Sequence, residues 1–416
     1  MTNPPPNRPS PLVGPSGLMP VLTDWWSELS WPRILASARM GLRPGRLGLG
    51  FFSIVIAFLL ISLGLAIDAK LVKQGVNWPT WPWSFQAEPR EKLLALWRAY
   101  VTLPKRMVEG IPVTTLVIGP IVLAIWLTML AAISRITACE LTQGQSPTWN
   151  EGLRFTISRW RSLLGAILGP LAIVWVIAAA LVLGGWVLMH LPGLNIVGGL
   201  VYGLFLVGGF FATIILIGYV FGHNLFIPAI VCEGTDAIDA VQRGYTYFFA
   251  KPFRLVFYML CGAAGLYIAV TVVSFLVLMT IGFAAQGASV WAGHDGSHMI
   301  WHGTFDAITS VPGLFRGGEF TDTPVKTWAA GASIIRFWTT IPVLLVLSAY
   351  LSCGISVCTA VYLGMRKVCD GQDWSELWVP GMIAGTMTQS LAGRAQVAQE
   401  MGTQRGSAPV TEAEDD

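Results

Sequence analysis

The sequence predicts an all-α integral membrane protein, built as a bundle of about six transmembrane helices with interfacial amphipathic helices. Of its 416 residues, 54% are hydrophobic and only 12% are charged, about half the charged fraction of an ordinary soluble domain. Several charge-free runs reach the roughly 20 apolar residues that a helix needs to cross a bilayer. With so few charges to cover a water-facing surface, the chain is expected to form one membrane domain.

Six spans follow from where the charged residues stop and restart. A spanning helix must satisfy its backbone hydrogen bonds internally. The charge-free interval 162–232 is too long for one helix and is broken at His190, Pro192, Gly193 and Asn195, so it predicts two spans. The six predicted spans are 47–67, 111–134, 164–189, 196–221, 256–283 and 338–364.

The predicted membrane domain covers residues 47–393. A tail and a basic segment precede it, and a second tail follows it. Residues 1–20 are rich in proline, and residues 394–416 are small, polar and end in acidic residues, so both predict disordered tails. Residues 21–46 are basic and predict an interfacial segment at the membrane surface. An irregular linker is the alternative, because Pro32 interrupts any long helix.

The distribution of basic residues sets the predicted orientation, because Lys and Arg near span ends are retained in the cytoplasm. With the N-terminus inside, 16 of the 26 Lys and Arg residues lie in inner segments and 10 in outer segments. Both termini are therefore expected in the cytoplasm, and the lipid bilayer with its anionic headgroups is the expected partner. No basic cluster is dense enough to suggest nucleic acid as a partner.

Three predicted inner segments begin with a cysteine followed by an acidic residue. They are Cys139-Glu140, Cys232-Glu233-Gly234 and Cys369-Asp370-Gly371. Each precedes a pair typical of a capping box, in which two side chains three residues apart bond the free amides of a helix start. The pairs are Thr148 with Glu151, Asp236 with Asp239, and Asp373 with Glu376. The recurrence predicts an internal repeat of three related span pairs.

Basic residues follow the first two of these segments and predict contact with lipid headgroups or with an unidentified membrane protein partner. They are Arg154, Arg159, Arg161, Arg243, Lys251 and Arg254. Apolar residues recur at helical spacing in the second segment and predict one face at the membrane surface. These are Ile238, Val241, Tyr245 and Phe248. The alternative is ordinary capping and anchoring of span ends.

The run from Cys232 to Tyr245 resembles the signature C-E-G-T-D-A-x-D-A-x-x-R-x-Y of a family of uncharacterised bacterial polytopic membrane proteins. The stretches 135–170, 251–254 and 366–374 are also similar to that family, so the resemblance covers most of the chain. It implies a multi-pass protein of the bacterial inner (plasma) membrane and implies no activity. More weakly, 237–254 is similar to the membrane domain attached to some glycerophosphodiester phosphodiesterases. The chain has no room for their hydrolase module, so their activity is not carried over.

Three histidines in a predicted outer segment, His294, His298 and His302, are candidate zinc or copper ligands. On a helix they would share one face. Gly296 disfavours that helix, however, and a polar loop tip that bears histidines needs no metal. We therefore expect no bound metal and no cofactor.

Gly119-Pro120 and Gly169-Pro170 are candidate helix breaks in two spans that run in opposite directions. Such paired breaks are typical of inverted-repeat transporters, although Gly and Pro are also common in ordinary spanning helices. The predicted spans contain no Asp, Glu, Lys or Arg, whereas ion-coupled carriers usually place such residues there.

The expected function is that of a non-catalytic membrane scaffold, assembly factor or accessory subunit. The sequence carries no phosphate-binding glycine loop, no paired-cysteine metal motif and no serine-nucleophile elbow. An enzyme is therefore not expected. The alternative is a transporter or permease for a neutral solute or lipid.

Overall fold

The computed structural model describes residues 31–71, 94–190, 193–309 and 326–378. These ranges are helical almost throughout and contain no β-strand. Their α-helices of seven or more residues are α1 (Trp31–Ser37), α2 (Pro44–Leu71), α3 (Leu103–Gly110), α4 (Gly119–Gln143), α5 (Trp149–Ile157), α6 (Trp160–His190), α7 (Leu194–Leu200), α8 (Tyr202–Glu233), α9 (Ala237–Ala250), α10 (Pro252–Ser289), α11 (Gly293–Thr309) and α12 (Lys326–Asp370). The two predicted tails, 1–20 and 394–416, lie outside the described residues.

Six helical stretches are long and apolar enough to cross a membrane. They are α2, α6, α8 and α10 in full, Thr114–Gln143 and Ala330–Asp370. Their most apolar windows have mean hydropathies of 2.1 to 2.6, and large side chains such as Leu204 and Phe283 stay 71% and 81% exposed. Surfaces of this kind face hydrocarbon rather than water. The all-α membrane bundle is therefore confirmed.

The helices are longer than the predicted spans. The span predicted at 338–364 lies in α12, a helix of 45 residues, and the span predicted at 47–67 lies in α2, a helix of 28 residues. A charge-free interval marks only the part of a helix that faces hydrocarbon. The helix itself extends beyond that part where its charged residues have protein or headgroup partners.

Residues 31–46 do not lie only on the surface, as the sequence predicted: Arg33, Arg39 and Arg43 are exposed, but the apolar side of the segment packs inside the bundle. α1 and the 3₁₀ helix Ala38–Leu42 pack between α10 and α12, and Ile34 is fully buried. Two glycines permit this close approach. A Cβ atom on Gly265 would lie 2.6 Å from the carbonyl oxygen of Leu35, and one on Gly41 would lie 2.5 Å from Cα of Cys353.

The predicted outer segment between residues 68 and 110 is helical in its second half. The turn Ala95–Trp97, the π-helix Arg98–Thr102 and α3 follow one another. Trp175, halfway along α6, donates from Nε1 to the carbonyl oxygen of Tyr100 at 2.7 Å. The Tyr100 ring also meets Tyr219 of α8 edge to face. The described part of this segment therefore contacts α6 and α8 through Tyr100, while residues 72–93 lie outside the described residues.

Asp68 fixes the start of the second span at the same end of the bundle. Its two carboxylate oxygens accept hydrogen bonds from the backbone amides of Val113 and Thr114, at 2.9 and 2.8 Å. These amides belong to a helix start, where backbone donors lack partners within the helix. A residue that bounds the first predicted span thus caps the second spanning helix.

The helix α9 packs against α8 and α6, so its predicted apolar face is only partly available to the membrane surface. Val241, Tyr245 and Phe248 pack against the core, whereas Ile238 is 80% exposed. The Tyr245 hydroxyl donates to the carbonyl oxygen of Ile215 at 2.7 Å. Most of the face is therefore used inside the protein.

Replacing Gly41 by alanine should destabilise the bundle, because the new methyl group would collide with the backbone of Cys353. Overpacking of this kind costs about 1–3 kcal/mol of unfolding free energy. Thermal unfolding of the full-length protein in detergent measures it. Gly45→Ala is the matched control, since nothing lies within 4 Å of a Cβ atom at that position. Equal unfolding temperatures for the two variants would contradict the packing of the 3₁₀ helix Ala38–Leu42 against α12.

Candidate functional site at the charged end of the bundle

Charged residues that flanked the predicted spans meet at one end of the bundle, where α4, α8 and α12 end and α2, α6 and α10 begin. We call this region the charged end. Sequence reasoning used these residues only as span boundaries or surface contacts. The residues concerned are Arg46, Arg135, Glu140, Arg159, Glu233, Arg243, Arg366 and Asp370.

Glu233 is the most enclosed acidic residue of the charged end, with no exposed surface. Arg243 lies 2.7 Å from its Oε2 through Nη2 and donates to its Oε1 from Nη1 at 3.0 Å. The hydroxyl of Tyr362 donates to the same Oε1. A buried carboxylate is tolerated only when it is paired and hydrogen-bonded, and these contacts join α8, α9 and α12.

Asp370 extends this cluster at the last residue of α12. It accepts from Arg243 Nη1 at 3.3 Å and from the Tyr247 hydroxyl. Burial, together with the Asp370 carboxylate, raises the pKa of Tyr247, so the phenol keeps its proton and remains a donor. Lys251 donates from Nζ to the carbonyl oxygen of Val368 at 3.2 Å. Three side chains from α9 and its C-terminal end thus hold the end of α12.

Glu140 forms a second cluster between α2 and α4. It pairs with Arg46, whose side chain is only 2% exposed, and with Arg43 at 2.8 Å. Arg46 also donates to the carbonyl oxygen of Met40 at 2.9 Å and to Thr137 Oγ1 at 3.3 Å. The predicted interfacial role of Arg46 is therefore wrong, because the neighbouring acidic residue stabilises its guanidinium inside the protein.

Two further arginines bind backbone carbonyl groups. Arg135 donates to Val231 at 2.9 Å and lies 4.4 Å above the ring of Phe155. Arg366 donates to Asp373 at 3.1 Å and to Glu376 at 2.6 Å. The last carbonyls of α8 lack helical partners, so Arg135 satisfies one of them, while Arg366 holds the chain that leaves α12.

Residues 371–378 fold back over the charged end. The backbone amide of Trp378 donates to the carbonyl oxygen of Cys232 at 2.9 Å. Arg159 lies 4.6 Å from the centre of the Trp378 ring and donates to the carbonyl oxygen of Gly234. Burial lowers the pKa of Arg159, and Asp236 opposes the shift, but an arginine stays protonated in a protein. The Arg159 guanidinium thus joins residues 371–378 to the end of α8.

One of the three predicted capping boxes is confirmed. Thr148 and Glu151 bond each other's backbone amides at the start of α5. The box at Asp236 is wrong, because this residue precedes α9 without a side-chain capping bond. The box at Asp373 is also wrong: residues 371–378 form no helix, and its Oδ1 instead accepts from the amide of Trp374 at 2.7 Å.

The predicted repeat aligns residues that occupy different helix positions. α4, α8 and α12 are each followed by a left-handed glycine, namely Gly144, Gly234 and Gly371, which is the usual end of a helix. Glu233 and Asp370 immediately precede their glycines, whereas Glu140 lies four residues earlier. The three similar helix ends agree with a repeat, which stays a prediction.

The six predicted headgroup or partner contacts fall into two groups. Arg159 and Arg243 bond groups inside the protein, which the sequence did not indicate. The other four side chains lie on exposed positions around the charged end, namely Arg154, Arg161, Lys251 and Arg254. Of these, Lys251 also donates to the carbonyl oxygen of Val368. For these four, contact with headgroups or a partner stays a prediction.

The histidine segment is a helix, so the predicted loop is wrong. Gly296 lies within α11, where a Cβ atom would be 3.0 Å from Cβ of Ala292 and 3.7 Å from the ring of Trp328 of the adjoining α12. His294, His298 and His302 lie on one face of α11 and, with Asp306, line a cavity of about 420 Å³. In the described part of the chain, no group of three His, Cys, Asp or Glu residues is placed to hold a metal ion.

The two Gly-Pro steps differ in their helices. The π-helix Thr114–Ile118 precedes Gly119 and Pro120, whereas α6 runs unbroken through Gly169 and Pro170. The prediction of a helix break at the second step is therefore wrong, because neighbouring groups compensate for the proline within a spanning helix.

Both Gly-Pro steps line cavities. The first step lines an apolar cavity of about 650 Å³ between α3, α4 and α6. The second lines one of about 340 Å³ between α6, α8 and α9.

Replacing Glu233 by glutamine should destabilise the charged end, because Arg243 loses its buried counter-charge and Tyr362 donates to a weaker acceptor. A buried polar group left without its partner costs about 1–3 kcal/mol of unfolding free energy. Thermal unfolding of the full-length protein in detergent measures the loss. Asp239→Asn is the control, since Asp239 lies exposed on α9 at the same end. A control as unstable as Glu233→Gln would contradict the assigned role.

No family model matches the chain, and no curated protein or solved structure shows significant similarity to it. The resemblance of the run around Cys232 to a bacterial membrane protein family therefore stays a prediction.

Proposed function

We propose that the protein is a non-catalytic membrane scaffold, assembly factor or accessory subunit. One observation carries this proposal: the ionised side chains of the charged end are used to join the spanning helices to one another. Glu233, Arg243 and Asp370 join α8, α9 and α12, and Arg46 with Glu140 joins α2 and α4. Because these charged side chains are paired with one another, they hold the helices in a fixed arrangement.

The surface around the charged end supports contact with a partner. Arg154, Arg161, Lys251 and Arg254 are exposed there, and they project from a region that buried ion pairs keep rigid. Removing one partner of a buried pair is strongly destabilising, and such pairs have been argued to fix one specific packing. A rigid basic surface of this kind suits anionic headgroups or an acidic surface of another membrane protein.

The proposed setting is the bacterial inner membrane, with the charged end and both termini in the cytoplasm. The excess of Lys and Arg in the corresponding connecting segments supports this orientation. The exposed basic residues would then lie beside the anionic lipids of the cytoplasmic leaflet.

A transporter or permease for a neutral solute or lipid is the second candidate. The observation that favours it is that Gly119 with Pro120 and Gly169 with Pro170 each line a cavity between helices. Both cavities are lined mainly by apolar side chains, which suits a neutral or lipidic molecule rather than an ion.

The scaffold proposal predicts a protein partner at the charged end in the cell. A photo-reactive amino acid placed at Arg154, Arg161, Lys251 or Arg254 should give a discrete protein adduct after irradiation. The matched controls are Lys105 and Arg106, which are exposed on α3 at the opposite end. The absence of protein adducts, or equal adducts at both ends, would count against a partner-binding charged end.

The same proposal predicts that the purified protein in liposomes moves neither glycerol nor a fluorescent phosphatidylcholine faster than protein-free liposomes do. A flux that disappears in Pro120→Ala and Pro170→Ala would instead establish a carrier, because both prolines line the cavities. Pro228→Ala is the control, since Pro228 is buried inside α8 and lines neither cavity. The comparison is made at equal amounts of reconstituted protein.

A further inference from the structure

The larger apolar cavity is a groove that extends from Lys105, at the end of the bundle opposite the charged end, past Trp175 in the middle of α6. Its volume of about 650 Å³ is within the roughly 300–1,000 Å³ range of small-molecule sites. Ala178 and Gly119 form part of its wall, while the lining residues Leu116 and Val182 are 60% and 59% exposed. The groove therefore opens toward the surrounding hydrocarbon, where acyl chains are the available occupants.

Among the residues that the structure describes, one charged side chain lines this groove. Lys105 of α3 is 73% exposed and lies among lining residues that are otherwise uncharged. Its neighbour Arg106 is also exposed, and Glu109 is 3.7 Å from Lys105 in an exposed pair that contributes little. The segment 95–110 carries three basic residues and one acidic residue. A long basic side chain at this position extends its ammonium group toward headgroup level while its stem contacts apolar surface.

Two polar groups that line the groove already have hydrogen-bond partners within the protein. Trp175 donates its indole N–H to the Tyr100 carbonyl at 2.7 Å, and Thr115 Oγ1 donates to the Met107 carbonyl at 3.0 Å. A polar solute would therefore find few free donors there, whereas an apolar chain needs none.

We propose that this groove binds one anionic phospholipid of the leaflet opposite the charged end, with an acyl chain against Gly119, Pro120 and Ala178 and the phosphate beside Lys105 and Arg106. The π-helix Thr114–Ile118 directly before Pro120 widens the helix at the groove wall. The proposal does not rest on the scaffold function, because a retained lipid and a protein partner are measured independently.

Native mass spectrometry of the full-length protein tests this site after incubation with dioleoylphosphatidylglycerol or dioleoylphosphatidylcholine. We expect one phosphatidylglycerol to survive collisional activation, and less phosphatidylcholine to be retained. Ala179→Trp should remove the retained lipid, because its side chain enters the groove. Ala180→Trp is the matched control, since Ala180 is exposed on the same helix and does not line the groove. Equal retention by both variants would overturn the proposal.

The headgroup contact is tested separately with Lys105→Gln. The preference for phosphatidylglycerol over phosphatidylcholine should fall about fivefold, the effect of one basic residue near an anionic lipid. Lys70→Gln is the control, because Lys70 is exposed at the same end of the bundle and lies outside the groove. An unchanged preference in Lys105→Gln would overturn the assignment of the headgroup.

If Ala179→Trp fails to fold, Val182→Trp at an exposed lining position tests the acyl-chain site in its place, and retention of the lipid equal to that of Ala180→Trp would again overturn the proposal.

Discussion

The buried carboxylate of Glu233 is the interaction on which the rest of the charged end depends. It has no exposed surface, so its charge requires the guanidinium of Arg243 and the hydroxyl of Tyr362 at once. Those two partners come from α9 and α12, and Arg243 in turn reaches Asp370. One desolvated charge thereby sets the positions of three helices, because any shift that separated them would leave it unpaired in a region of low dielectric constant.

Glycine allows a second constraint, the insertion of α1 into the bundle. Gly41 faces the backbone of Cys353 and Gly265 faces the carbonyl of Leu35, while Gly262 lies against Ile34 of α1 and Val357 of α12. In a membrane, such small residues are the usual means of bringing helices together, since apolar burial distinguishes poorly between protein and lipid. The inserted chain leads directly to Arg46, whose pairing with Glu140 closes the second buried cluster.

The two ends of the bundle therefore have different physical characters. At the charged end, ionised groups bind protein groups, and the exposed basic residues Arg154 and Arg161 surround them. At the other end, an apolar groove opens outward, and Lys105 is the one charged residue among its described lining residues. The first arrangement suits a rigid contact surface, and the second suits a lipid molecule. The two functions are compatible in one scaffold, because a bound lipid would occupy a groove that none of the charged clusters needs.

The fold class, the number of spanning helices and the capping box at Thr148 could be predicted from the amino-acid sequence, because hydropathy and local helix chemistry act over neighbouring residues. The sequence also predicts that Cys232-Glu233 and Cys369-Asp370 are related positions, which stays a prediction. The folded arrangement was needed to show that Glu233 and Asp370 share Arg243, that Arg46 is buried against Glu140, and that Gly169-Pro170 leaves α6 continuous. The sequence could not show these contacts, because a charged residue next to a span has the same sequence pattern whether it contacts lipid headgroups or pairs with another residue of the protein. The distinction depends on contacts between residues such as Arg46 and Glu140, 94 positions apart in the chain.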